Sequence, residues 1–119
     1  MTHLGLGLAL KHLPGLSCPL DTRGGAYVLV EVASGSDLVP LDDILAGVLE
    51  WGMGQGLLLD GALAASEAQR AAFWRLREEQ PEGQRLEGPQ LKHDIAVPPG
   101  RIAEFVARAA PLCQGLLPG

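Results

Sequence analysis

The spacing of apolar residues changes several times along the chain, and this limits the folds that it can adopt. Short runs of β-forming residues alternate with longer segments in which apolar residues recur every three or four positions. The first run, YVLVEV from Tyr27 to Val32, is apolar on both faces apart from Glu31, which predicts a central strand. Helical spacing follows in PLDDILAGVLEWGM, where Asp42 and Asp43 suit the first turn of a helix.

The same order repeats along the rest of the chain. The run GLLLDGALAAS predicts a second strand, and Ser66 and Gln69 then have the spacing of a capping box. Pro81 is expected to end the helix that begins there. PQLKHDIAVP predicts a third strand, and PPGRIAEFVARAAPL predicts a last helix. The predicted strands lie near residues 26–33, 57–64 and 90–97, and the predicted helices lie near 40–53, 66–79 and 99–110.

This order of elements favours an α+β fold. Alternation alone also suggests an α/β fold, but three strands make a thin sheet. A ferredoxin-like sandwich, with a mainly antiparallel sheet and helices packed on one face, needs fewer strands. Such a sandwich calls for a fourth strand, which we do not find. The 119 residues suit one domain, 1–119, and both ends read as cuts through something larger.

Charge and cysteine content narrow the partners and the compartment. The formal net charge of −5 argues against nucleic acid or an anionic membrane as the main partner. The apolar opening LGLGLALKHLPGL is too short to span a bilayer. Cys18 and Cys113 lie far apart and belong to no CxxC pair, so we expect two idle thiols in a reducing cytoplasm.

Two charged stretches are the candidates for chemistry. The chain has no phosphate-binding loop motif and no nucleophile motif, and its three histidines lack the spacing of metal ligands. In AFWRLREE, Arg77 shares a helix face with Trp74 and could bind a carboxylate in bidentate fashion. The alternative is an arginine stacked over Trp74 and paired with Glu78 or with nearby aspartates, and the spacing alone favours this alternative.

The second stretch is the predicted third strand. Alternation places Lys92 and Asp94 on one face of this strand and His93 on the other. The pair is either an ordinary surface ion pair or an ammonium aimed at an anionic substrate. Composition does not separate these two interpretations.

Taken together, the two stretches resemble a known family. AQRAAFWRLREEQPEGQRLEGPQLKHDIAVP is similar to the C-terminal domain of the FAD-linked oxidases. That group includes D-lactate dehydrogenases, the glycolate oxidase flavoprotein subunit and D-2-hydroxyglutarate dehydrogenases. The family pairs a helix carrying W-x-L-R-E with a strand carrying K-H/Y-D-x-[SA]-[VL]-P, and this chain has WRLRE and KHDIAVP. YVLVEV, DGALAAS followed by EAQ, and RIAEFV keep the family order, so the resemblance extends from about residue 24 to residue 111.

The resemblance implies a role for the charged residues. In the family, the corresponding arginine and lysine hold the carboxylates of a small 2-hydroxy acid, which implies that Arg77 and Lys92 bind substrate. It also implies a domain built on ferredoxin-like halves that covers the edge of the flavin. The family's flavin-binding domain and its G-H-x-G-D-G-N-x-H segment, whose histidines are implied to bind a metal, do not occur here.

We therefore expect a fragment of an FAD-dependent D-2-hydroxy-acid dehydrogenase that holds part of the substrate site. The chain alone is expected to carry no FAD or metal, to lack dehydrogenase activity, and to form a homodimer or larger assembly. The alternative is a non-enzymatic ferredoxin-like module that binds a metabolite or makes oligomers.

Overall fold

The computed structural model describes residues 1–90 and 94–116, and within these ranges the chain is mainly helical. Five α-helices are described, together with one short 3-10 helix, Pro99–Arg101, that leads into the last of them. The α-helices are α1 His3–His12, α2 Leu41–Gly54, α3 Glu67–Glu78, α4 Gln80–Glu87 and α5 Ile102–Leu116.

The expected α+β ferredoxin-like sandwich is wrong. Across the described ranges there is no sheet, and the β-pairing consists of one antiparallel bridge between Thr2 and Ala26. Apart from the bridge at Ala26, residues 26–33 and 57–64 run without strand pairing, and so do residues 94–97 of the third predicted strand, whose residues 91–93 lie outside the described ranges. A strand is stabilised by cross-strand partners rather than by its own residues, so β-forming side chains without a partner do not make a sheet.

The predicted helices are found close to their expected positions, but Pro81 acts differently from its prediction. α2, α3 and α5 correspond to the predicted segments 40–53, 66–79 and 99–110. Pro81 does not end α3, which closes at Glu79; it lies in the first turn of α4. Proline is tolerated there because the first backbone N–H groups of a helix have no partner within that helix.

Small residues bring α1 and α4 into close contact. A Cβ atom added at Gly83 would lie 2.6 Å from Ala9 Cα and 2.7 Å from Ala9 N. At Gly5, an added Cβ atom would lie 2.8 Å from the side-chain oxygen of Gln80. Gly83 therefore lets the two helix backbones approach more closely than a side chain would allow, whereas Gly5 leaves room for the Gln80 side chain.

The core is small and lies beside α1. Its buried side chains are Leu6, Tyr27 and Leu76, which come from α1, the segment after the bridge, and α3. Two backbone hydrogen bonds tie the N-terminus to this core: the Met1 amine donates to the Tyr27 carbonyl at 2.6 Å, and the Tyr27 N–H donates to the Met1 carbonyl at 2.8 Å. The core thus sets the position of α3 relative to α1.

The Asp60 carboxylate joins two loops, one at residues 21–22 and its own at residues 60–61. The Asp60 side chain accepts backbone N–H bonds from Asp21 and Thr22, both at 2.9 Å, and from Gly61 at 2.8 Å. The Thr22 amide first, and then the Gly61 amide, hold the pKa of Asp60 below its ordinary value. Asp60 is therefore a structural residue that connects two loops.

Much apolar surface stays uncovered. None of the residues of α5, all of which are described, is buried, and Trp51 on α2 is 62% exposed. The radius of gyration is 17.0 Å, whereas a compact domain of this length has about 13–14 Å. The chain is therefore more extended than a domain that closes over a complete core.

Candidate functional site

Helix α3 carries the first predicted site residue, and its start is well defined. Ser66 is the N-cap residue, and its hydroxyl accepts from the Gln69 N–H at 3.2 Å. The Gln69 side-chain oxygen accepts from the Ala65 N–H at 2.7 Å. The predicted pairing of Ser66 with Gln69 is thus confirmed, although the return bond is made one residue before the N-cap. This cap fixes where α3 begins.

Packing of α3 leaves Arg77 exposed. Leu76, with 4% of its surface exposed, anchors the helix in the core, and the next residue, Arg77, faces outward. With the other residues that the structure describes, Arg77 makes no ion pair and no hydrogen bond from its side chain. Arg23 likewise makes no ion pair with a described residue. Every other described lysine and arginine is paired with a carboxylate.

The neighbours of Arg77 are engaged elsewhere. Arg75 pairs with Glu79, with 2.8 Å between Nε and Oε1. The Trp74 indole donates to Glu31. The ion pair with Glu78 that was the alternative for Arg77 is not found among the described residues, and Arg75 pairs with Glu79 instead. The Arg77 guanidinium thus makes no ion pair within these ranges. The role of Arg77 in substrate binding remains a prediction.

The second predicted site residue, Lys92, lies outside the described residues, as does His93. Asp94, the next described residue, is exposed. The pairing of Lys92 with Arg77 at one ligand stays a prediction for this reason.

A cluster around Glu31 was not predicted. Arg70 binds both carboxylate oxygens of Glu31, with Nη2 at 2.9 Å from Oε1 and Nε at 3.2 Å from Oε2, and Trp74 Nε1 donates to Oε2 at 2.5 Å. The Arg70 hydrogen bond first, and then the Trp74 bond, hold the pKa of Glu31 below its ordinary value. Two signals pointed toward it: Glu31 is the one charged residue in YVLVEV, and Arg70 and Trp74 are four residues apart on a helix.

A second cluster joins the ends of α1 and α4. Glu87 accepts from Lys11 Nζ at 2.8 and 3.0 Å and contacts His12 Nε2. The His12 bond first, and then the Lys11 bond, hold the pKa of Glu87 below its ordinary value. This cluster reinforces the close contact of the two helices on an exposed surface.

One cavity lies beside α5 and does not include Arg77. It has a volume of about 410 Å³, an apolar wall from Val97 and Phe105, and a charged edge from Arg101, Glu104 and Arg108. Both arginines are already paired with Glu104, at 2.6 and 3.4 Å. The cavity is thus an open groove with internally paired charges.

The described part of the chain has neither a cluster of metal-ligating side chains nor a membrane-spanning helix. No group of three or more His, Cys, Asp and Glu side chains there is placed to hold a metal ion. Among the helices in those same ranges, none combines the length and the apolar character that crossing a membrane requires.

Comparison with known proteins supports the resemblance of WRLRE and KHDIAVP to a family. Residues 2–116 match the family described as FAD linked oxidases, C-terminal domain. The D-2-hydroxyglutarate dehydrogenase of Arabidopsis thaliana, named as mitochondrial, is 32% identical over 101 residues, which cover 85% of this chain and 18% of that protein. The mitochondrial D-2-hydroxyglutarate dehydrogenase of Bos taurus is 35% identical over 102 residues, covering 83% of this chain and 18% of that protein.

A bacterial relative agrees with these two. The D-2-hydroxyglutarate dehydrogenase of Xanthomonas citri pv. viticola is 31% identical over 112 residues, which cover 92% of this chain and 23% of that protein. The chain thus spans about a fifth of the length of the curated relatives that it matches. No solved structure matches the chain.

Proposed function

The chain belongs to the family of C-terminal domains of FAD-linked oxidases, and we propose that it supplies part of the substrate-carboxylate site of an FAD-dependent D-2-hydroxy-acid dehydrogenase. The observation that carries the proposal is the exposed Arg77, which α3 presents without an ion-pair partner among the described residues. A planar guanidinium fork matches a carboxylate in bidentate fashion. The test is to replace Arg77 in an intact flavoprotein that contains this domain and to measure steady-state kinetics.

The names of the relatives favour a dicarboxylate substrate. Plant, animal and bacterial relatives are all called D-2-hydroxyglutarate dehydrogenases. We therefore place a D-2-hydroxyglutarate-type substrate ahead of D-lactate and glycolate, which no matched relative supports. Such a substrate carries two carboxylates and calls for more than one cationic group. Arg77 would supply a planar fork and Lys92 a point charge, and together they would bind and orient the acid.

FAD belongs to the parent enzyme in this proposal, and the described residues do not fit it. A flavin dinucleotide needs backbone N–H groups for its pyrophosphate, typically from a Gly-rich loop at a helix N-terminus. The five described α-helices instead begin after Thr2, Pro40, Ser66, Glu79 and the Pro99–Arg101 turn. In this proposal the chain holds the substrate and takes part in no other step of the reaction.

The isolated chain is accordingly expected to bind no FAD and to oxidise no 2-hydroxy acid. The measurement is an absorbance spectrum after incubation with FAD and gel filtration, with an intact flavoprotein of the family as the positive control. A flavin band that travels with the chain at equimolar ratio would contradict this expectation.

We also propose that the isolated chain associates with itself through residues 27–33, the segment of the first predicted strand. Tyr27 in this segment is buried, whereas Val28 is 82% and Val30 is 59% exposed. Residues 28–33 make no backbone hydrogen bond to another described residue. A second copy can pair its own segment with this edge, so that the backbone N–H and C=O groups of both copies form hydrogen bonds. Because both copies use the same segment, this pairing favours a symmetric dimer. The same observation favours the alternative function, a non-enzymatic oligomerisation module.

Light scattering tests this association. The wild-type chain is expected to run as a dimer or larger species, and Val28→Lys is expected to shift it toward monomer because a charge on the edge opposes pairing. Val106→Lys is the matched control, since Val106 on α5 is also largely exposed, at 56%, but lies outside the segment. A monomeric wild type, or equal effects of both substitutions, would contradict the proposed edge.

We propose a reducing compartment for the chain, because both Cys18 and Cys113 are free thiols. The cytoplasm was expected, but the matched plant and animal relatives are named as mitochondrial, which does not agree with that location. The bacterial relative carries no such term in its name.

A further inference from the structure

Three hydrogen-bond donors of α3 converge on one carboxylate. The donors are Nε and Nη2 of Arg70 and Nε1 of Trp74, and the acceptors are the two oxygens of Glu31, at 2.5 to 3.2 Å. Such a two-pronged contact from a guanidinium, completed by an indole N–H, fits the shape of any carboxylate. The group that happens to fill it here comes from the same chain, 39 residues away from Arg70.

The donors are positioned without help from Glu31. Arg70 and Trp74 are four residues apart in α3, so the helix itself places them on one face. Arg70 also holds Glu67 through its Nη1 atom at 3.2 Å, which leaves Nε and Nη2 directed at the Glu31 carboxylate. The two donor residues together form a carboxylate receptor on one face of α3, and Glu31 is its occupant.

Glu31 is weakly held in this receptor. The side chains of Glu31 and Arg70 are 37% and 50% exposed, and exposed ion pairs contribute little to stability. The segment on which Glu31 lies makes no backbone hydrogen bond with other described residues between residues 28 and 33. Releasing Glu31 thus breaks no secondary structure, and the nearest backbone attachment, at Tyr27, is unaffected.

We propose that Arg70 and Trp74 form a binding site for a small carboxylate anion, which Glu31 occupies in the free chain and from which the ligand displaces it. This site goes beyond the carboxylate site proposed at Arg77 and does not depend on it. Ligand binding exchanges one set of charge-assisted hydrogen bonds for an equivalent set, so the affinity is of millimolar order.

Displacement has a signature that ordinary anion binding lacks. With glutarate as the probe, at constant ionic strength, the ¹³C signal of the Glu31 carboxyl group moves toward that of a solvated carboxylate. The Trp74 indole N–H signal also responds saturably but keeps the shift of a hydrogen-bonded group, because one carboxylate replaces another. Trp51→Phe removes the other tryptophan and makes the assignment unambiguous.

Four variants test the competition. Glu31→Gln removes the internal competitor and is expected to lower the midpoint of the glutarate titration by about two- to fivefold, the factor that corresponds to an exposed ion pair. Glu67→Gln is the matched control: it removes the same charge from the same guanidinium but leaves the Glu31 contact intact. Arg70→Gln abolishes the response, and Arg77→Ala preserves it, which separates this site from the one proposed at Arg77.

Specific results would overturn the proposal. These are a wild-type chain whose Glu31 signal does not move, a Glu67→Gln variant that shifts the midpoint as much as Glu31→Gln, or a response that survives Arg70→Gln. If Arg70→Gln fails to fold by circular dichroism, the comparison of Glu31→Gln with Glu67→Gln decides alone, because both of those residues are exposed.

Discussion

Replacing Arg77 with alanine in an intact flavoprotein that contains this domain is expected to lower kcat/KM for D-2-hydroxyglutarate by about ten- to a hundredfold. The loss of one charge-assisted hydrogen bond lowers kcat/KM by this factor when it leaves the charge of the substrate carboxylate unpaired. Arg77→Lys is expected to recover only part of the loss, because an ammonium cannot reproduce the planar fork. The melting temperature should change little, since Arg77 is exposed and makes no ion pair with described residues.

The matched control for this substitution is Arg75→Ala. Arg75 lies on the same helix, two residues earlier, and its guanidinium is already paired with Glu79. The substitution Arg75→Ala is expected to leave kcat/KM unchanged. If Arg77→Ala and Arg75→Ala had the same kinetics as the wild type, Arg77 would be an ordinary surface arginine. A parallel loss on Lys92→Ala would support the second half of the carboxylate site.

Replacing Gly83 with alanine is expected to destabilise the chain by about 1–3 kcal/mol, the usual cost of overpacking. The added Cβ atom would lie 2.6 and 2.7 Å from backbone atoms of Ala9, so α1 and α4 would have to move apart. The better helix propensity of alanine, about 1 kcal/mol, offsets only part of this cost. Urea unfolding followed by circular dichroism measures the difference.

Gly7→Ala is the control for the Gly83 substitution. Gly7 lies on the same helix pair, in α1, but an added Cβ atom there meets no atom of the described residues within 4 Å beyond its own turn of helix. Its replacement is expected to raise stability by about 0.5–1 kcal/mol through helix propensity alone. Equal effects at Gly7 and Gly83 would show that the close contact of α1 with α4 does not control stability.

Local signals in the sequence predicted local structure well. Ser66 and Gln69 predicted the start of α3, and the spacing of apolar residues predicted α2 close to its observed bounds, Leu41–Gly54. The prediction for Pro81 was wrong because the missing N–H of proline has two consequences. It disfavours proline inside a helix, so that proline often ends one, and it is tolerated in the first turn, where Pro81 lies in α4. The residues around it do not distinguish these two roles.

Tertiary contacts were not predictable in the same way. The sheet was inferred from the β-forming residues of YVLVEV, but a strand depends on a partner that those residues do not specify. The contact of Glu31 with Arg70 joins residues 39 positions apart, and the contact of Glu87 with Lys11 joins residues 76 positions apart. The motif WRLRE, by contrast, identified the family and directed attention to Arg77, which the structure shows to be exposed.

The most direct test of the carboxylate role of Arg77 uses ¹⁵N NMR of the arginine Nε signals in this chain. Arg23 is the internal control, since it is also exposed and makes no ion pair with the described residues. On addition of D-2-hydroxyglutarate at constant ionic strength, the Arg77 signal is expected to shift saturably while the Arg23 signal stays in place. An unchanged Arg77 signal, or equal shifts at Arg77 and Arg23, would contradict a carboxylate site at Arg77.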